Sequence, residues 1–180
     1  MSLIRAIYAE RVDEFERTKP GYRYQFGELR AKLLSLGGTE VVVGLAPITD
    51  LTGFLDHGEL DGRSPRLETG RVSACYYNVA SLWAKGILDN IVTGYGLSDD
   101  GLWREHCWGV HEGYLVETTL ERKMYFGRVL SQSEARELCD EEGVENTLVG
   151  STTTKPRPDY FKVQKFSLVG DSSISVVLGR

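Results

Sequence analysis

Residues 73–119 read SACYYNVASLWAKGILDNIVTGYGLSDDGLWREHCWGVHEGYLVETT, and their reading decides the fold. Ser73 is placed to cap a helix whose inner stripe is Tyr76, Val79, Ala80, Trp83 and Ile87, a spacing of three and four that keeps apolar side chains on one face. Lys85 in the last turn and Gly86 just past it complete the stop signal. The pattern then changes to three strands, Ile91–Leu97, Trp103–Val110 and Tyr114–Thr119. The turns between them are Ser98-Asp99-Asp100-Gly101 and His111-Glu112-Gly113. A helix followed by consecutive antiparallel strands is an α+β pattern, not the alternation of a doubly wound sheet.

Downstream, Met124–Leu130 fits a fourth strand. Ser131-Gln132-Ser133-Glu134 is a capping-box pattern opening a helix to about Glu142, with Gly143 ending it. Residues 152–158 are loop-like, and Tyr160–Leu168 with Ile174–Leu178 fit a closing hairpin. Upstream, residues 3–17 and about 26–36 have helical spacing, ended by Pro20-Gly21 and Gly37-Gly38. Glu40–Leu45 reads as a short buried strand, followed by the weakly apolar Ile48–Leu55. Residues 56–71 (DHGELDGRSPRLETGR) are polar and without period, so they read as a long loop.

The chain has 180 residues, 41% hydrophobic, which suits one domain over 1–180. Residues 1–72 supply N-terminal helices and the long loop, 73–130 the catalytic core, and 131–180 a C-terminal helix and strands. Lys and Arg number 21 against 26 Asp and Glu, a net −5, so the basic excess of a dedicated nucleic-acid binder is missing. Three cysteines, an odd and scattered set, argue against a disulfide scaffold and for a reducing, cytoplasmic setting. The N-terminus lacks a secretory h-region, and no apolar run approaches the roughly 20 residues that span a bilayer.

Several common sites are excluded. Gly94-Tyr95-Gly96 lacks the third glycine of a dinucleotide loop, and neither a P-loop nor a Gly-x-Ser-x-Gly elbow is present. His106 and His111 are five apart, on opposite faces of a strand, and no cysteine pair has zinc spacing. The expectation is a protein without metal or cofactor.

Cys75, His106 and Glu117 form the constellation with chemistry. Cys75 falls in the first helical turn, where unpaired N–H groups and the positive dipole end favour a thiolate and can hold an oxyanion. If Glu112-Gly113 makes a two-residue turn, His111 pairs with Tyr114, and Glu117 shares the face of His106 as a diagonal neighbour. The order is nucleophile, base and orienter of the base. Tyr76, Tyr77 and Asn78 are oxyanion candidates by proximity, and Trp103 can line a cleft or pack. Trp83 and Trp108 suit the core between helix and sheet. Cys107 points away from His106, and Cys139 suits a core. Arg63, Arg66 and Arg71 are candidates for an acidic group of the substrate, or a solvated loop face.

The segments CYYNVA (75–80), GYGL (94–97), EHCW (105–108), VETT (116–119) and YFG (125–127) resemble a bacterial and phage group of small papain-like, transglutaminase-like proteins. The match covers residues 73–128. It implies a papain-like or transglutaminase-like core, a central helix on an antiparallel sheet, and a thiol-dependent hydrolase or acyl transferase acting on a peptide or protein amide. Glu117 stands where that superfamily usually has aspartate. A degenerate member retaining the fold as a binding or adaptor protein is the alternative.

Overall fold

A computed structural model describes residues 3–145 of the chain. Its centre is a mostly antiparallel sheet built on β4 (Asn90–Leu97), β5 (Leu102–His111), β6 (Tyr114–Glu117) and β7 (Met124–Val129). The loop residue Gly101, at φ 79°, reverses the chain between β4 and β5, and Leu97 then faces Trp103. Two short strands, β2 (Glu59–Leu60) and β3 (Pro65–Leu67), extend the sheet to the order β2-β7-β4-β5-β6-β3, and β1 (Glu40–Val41) joins β5 in parallel. A flat sheet of six strands would hold its outer strands about 24 Å apart. Residues 61–64 join those same strands and span at most about 17 Å. The sheet is therefore rolled, though not closed.

Rolling gives it two unlike faces. The concave face carries Val92, Trp108, Val110, Leu115 and Tyr125, a small core of its own. Trp108 Nε1 donates to Asp61 Oδ2 at 2.9 Å, which ties the β2–β3 connection across this face. The other face is covered by helices. There α4 (Cys75–Ala84) and α5 (Gln132–Glu141) bury Val79, Ala80, Trp83, Leu138 and Cys139 against Ile91, Cys107 and Val116. Beside them α1 (Leu3–Thr18), α2 (Tyr22–Leu36) and α3 (Leu51–His57) bury Phe26, Leu29, Leu33 and Phe54 against Tyr95, Leu97, Trp103 and Phe126.

The α+β class is as expected, and so are the helices α1 and α5 and strands β4–β7 within a residue or two. α5 carries its capping box intact. Other expectations are corrected. Ser73 is not the cap of α4: it sits at φ 57°, and Ala74 occupies the cap with no side-chain bond. Ile87 lies beyond the helix and is exposed, because Gly86 at φ 72° has already turned the chain. Helix α2 begins at Tyr22, earlier than the apolar spacing suggested, because Tyr22 and Phe26 pack with Phe15. The strand at 40–45 pairs only over Glu40–Val41, and the weakly apolar 48–55 segment runs into α3 (Leu51–His57), capped by Asp50 through Gly53 N. The stretch 56–71 is not a plain loop, since β2 and β3 lie within it. Trp108 packs on the face opposite Trp83, because it is one residue out of phase with Cys107. The hairpin expected at 160–178 and the loop at 152–158 lie outside the described residues.

The turn that matters for the site is Glu112-Gly113. His111 pairs with Tyr114, and both turn residues have positive φ, 48° and 81°, the signature of a two-residue type I′ turn. Glutamate is a poor occupant of the left-handed region, where asparagine is tolerated. Glu112→Asn is expected to stabilise the fold by about 0.5–1 kcal/mol. Urea unfolding should show a higher midpoint at unchanged m-value.

Candidate active site

The turn brings His106 and Glu117 together. Its register puts Glu117 opposite Trp108 on the concave face, and His106 lies two residues along the same face. His106 Nε2 and Glu117 Oε2 are 2.8 Å apart, with side-chain exposures of 2% and 0%. A carboxylate can only accept, so Nε2 carries the proton and Nδ1 remains for another partner. Cys75, the first residue of α4, has its thiol within reach of the ring. The pairing of β5 with β6 ends at Gly109–Val116, so His106 stands where the two strands part.

Glu117 has further donors. Oε2 also accepts from Tyr125 Oη at 3.0 Å, and Oε1 accepts from Thr119 N at 2.8 Å and Thr119 Oγ1 at 2.9 Å. Tyr125 Oη in turn accepts from Arg122 N at 2.9 Å. Burial pushes the Glu117 carboxyl up, but the bonds from His106 and Thr119 outweigh it and hold the carboxyl below its ordinary range. Burial likewise opposes charge on His106. Its bonds to Cys75 and Glu117 prevail and raise it above the usual histidine value.

Position along the chain is fixed by the segment before α4. Glu68 N and Gly70 N donate to the carbonyls of Glu117 and Thr118, continuing the run of β3 beside β6. Asn78 then clamps Arg71: Nδ2 donates to its carbonyl at 2.8 Å, and Oδ1 accepts from its N–H at 2.9 Å. Nδ2 also lies 3.4 Å from the Thr118 carbonyl. A Cβ on Gly70 would fall 2.4 Å from the Asn78 amide, so this clamp needs glycine there. The start of α4 is thereby tied to the end of β6, and Cys75 to the strand that carries Glu117.

Other candidates are distributed differently. Asn78 is not an oxyanion donor, because its amide is committed to the clamp. Trp103 does not line a cleft near His106. It is fully buried on the opposite sheet face, with Nε1 donating to the Gly37 carbonyl at 2.8 Å. Tyr76 is half-buried beside Cys75, and its hydroxyl reaches Glu105 Oε1 at 3.4 Å. Arg63 is bound in two places by Asp61, Arg66 lies over the Tyr114 ring, and Arg71 lies over the Tyr77 ring. Cys107 and Cys139 are buried and their thiols are pushed up by desolvation, whereas Cys75 is partly exposed; all three are free. Among the described residues no His, Cys, Asp and Glu group has the arrangement of a metal site, and no helix is long and apolar enough to cross a membrane.

Thr119 and Tyr125 were not legible as site residues. A Thr after an acid is a common pair, and Tyr125 joins only through the pairing of β7 with β4, which brings Tyr125 beside Gly96. No protein-family model, curated protein or solved structure matches this chain.

Proposed function

We propose that the chain is a thiol-dependent hydrolase or acyl transferase acting on an amide, on a core of the papain-like or transglutaminase-like kind. The observation that carries this reading is the buried His106–Glu117 pair with Cys75 in reach of the ring. Cys75 transfers its proton to His106 Nδ1 and its sulfur bonds to the carbonyl carbon. The carbon–nitrogen bond then breaks, His106 returns the proton to the leaving amine, and a thioester remains for water or a second amine. Glu117 holds the ring tautomer and stabilises the imidazolium, as an orienting carboxylate does. The first-turn N–H groups of α4 support the oxyanion, and the lack of a side-chain cap at Ala74 leaves them uncapped. Peptide cleavage, glutamine deamidation and transamidation share these steps.

The alternative, a binding or adaptor protein that keeps the site without turnover, draws on the commitment of Asn78, which leaves no obvious side-chain oxyanion donor. Thiol reactivity separates the two. Iodoacetamide should label native protein at Cys75 alone, since Cys107 and Cys139 are buried. His106→Ala should slow that labelling roughly tenfold or more by removing the proton acceptor. Equal rates in the two proteins, or labelling confined to unfolded chain, would sink the enzyme reading.

A further inference from the structure

The carboxylate that orients the base is shared. Glu117 Oε2, which His106 Nε2 meets at 2.8 Å, also takes the Tyr125 hydroxyl at 3.0 Å. Tyr125 Oη accepts from Arg122 N at 2.9 Å, which leaves its own proton for the carboxylate. Burial pushes that phenol well above the ordinary tyrosine value, so it stays a donor. Oε1 is filled by Thr119, through its N–H at 2.8 Å and its Oγ1 at 2.9 Å. Four donors thus divide one negative charge, and only one of them belongs to the ring that does chemistry.

This division bears on how tightly His106 holds a proton. The more of the charge that other donors take up, the weaker an acceptor Glu117 is for the ring, and the less it stabilises the imidazolium. Among the described residues few other groups face that ring. Across the sheet it is registered with Gly94 and, beyond it, Gly127, which carry no side chain. Arg104, two residues back on the same face of β5, is paired with Asp100, and Arg122 donates through Nη1 to Ser98 Oγ. The rings of Trp108 and Tyr125 lie 6.1 and 6.2 Å from it, and Cys75 approaches from α4. The strength of Glu117 as an acceptor is therefore set by Tyr125 and Thr119.

We propose that Tyr125 and Thr119 are positioning residues that hold down the basicity of His106, so that the imidazolium formed by proton transfer from Cys75 can surrender its proton to the leaving amine. A general acid works best when its pKa lies near the working pH, and a ring facing an undivided buried carboxylate would keep its proton too tightly. The same bonds hold still the longer side chain that stands where the resembling proteins have aspartate. The inference rests on the reading of Cys75 and His106 as nucleophile and base.

The test follows the ring itself, by NMR titration of protein carrying isotope-labelled histidine. The signals lost in His57→Gln and in His111→Gln leave that of His106. Tyr125→Phe keeps the aromatic ring and removes only the hydroxyl. Thr119 still holds Oε1 in that variant, so the carboxylate stays in place. The His106 midpoint should then rise by about one pH unit, the order of one hydrogen bond to a charged group. Thr119→Val, which keeps its N–H, should raise it similarly, and Thr119→Ser should restore the wild-type midpoint. A packing role alone would lower stability without moving the midpoint. An unchanged or lowered midpoint in Tyr125→Phe or Thr119→Val overturns the proposal, as does a Thr119→Ser midpoint that moves with that of Thr119→Val. If Tyr125→Phe does not fold, the Thr119 pair decides. The same titrations in a Cys75→Ala background read the hold of Glu117 on the ring without the thiol. They stand even if iodoacetamide labelling ignores His106→Ala, so a failure of the nucleophile reading is told apart from a failure of this one.

Discussion

Replacing Glu117 by alanine is expected to lower the unfolding free energy by about 3–5 kcal/mol, the penalty typical of stripping one member from a buried ion pair. The carboxylate accepts from His106, Tyr125 and Thr119, so its removal leaves several buried donors without acceptors. His106 would then lose the bond that helps hold it protonated in a place 2% exposed. Glu117→Gln should be milder but not neutral, because the amide's NH2 end meets a donor wherever it turns. Tyr125→Phe removes two bonds, the one donated to Glu117 and the one accepted from Arg122 N, and should cost about 1–3 kcal/mol.

The pH dependence of this difference has a definite sign. Glu117 is held below its ordinary value of 4.5, so its contribution is present above that value and is lost as pH falls through the lower folded value. His106 is held above its ordinary 6.5, so its contribution is present below 6.5 and is lost as pH rises through the higher folded value. Both contributions are full between about 4.5 and 6.5, and the gap between wild type and Glu117→Ala should be widest there. Urea unfolding at a series of pH values measures it. A gap that is flat from acid to alkaline pH would contradict the charged pairing of these two groups.

How much of this was readable beforehand depends on distance along the chain. The meeting of His106 and Glu117 needs only the period of a strand and the length of one turn, and both are local properties of residues 106–117. The two positive φ angles at Glu112 and Gly113 are what that turn requires. The start of α4 was misread for a related reason: Ser73 has the right chemistry for a cap, but the clamp of Asn78 on Arg71 sets the path of the chain, and the helix begins a residue later. Strands β2 and β3 have no alternation to betray them. They are two and three residues long, exposed, and exist because β7 and β6 offer edges to pair with. The side of the sheet on which Trp108 packs, and the partnership of Tyr125 with Glu117, depend on which strands are neighbours.

The largest effect away from the pair is expected at Gly94. This residue is registered with His106 on β5 and with Gly127 on β7, so it is the spacer between the site strand and the next. A Cβ there would lie 2.1 Å from the Phe126 carbonyl oxygen and 2.5 Å from Gly127 Cα. Both are backbone atoms, which cannot swing aside as a side chain can, so β7 itself must shift. Gly94→Ala should therefore destabilise by about 3 kcal/mol, at the upper end of overpacking, although alanine enters strands more readily than glycine. Because β7 carries Tyr125, the shift should also disturb the hydrogen bond from Tyr125 to Glu117 and slow Cys75 labelling, at a position with no functional group of its own. Gly62→Ala is the matched control: nothing lies within 4 Å of its Cβ, and its stability should stay within about 0.5 kcal/mol of wild type. Urea unfolding of both, beside iodoacetamide rates on the folded fraction, separates a loss of strand spacing from a general loss of fold. A Gly94→Ala protein as stable and as reactive as wild type would mean that β4 and β7 are further apart at Gly94 than this register places them.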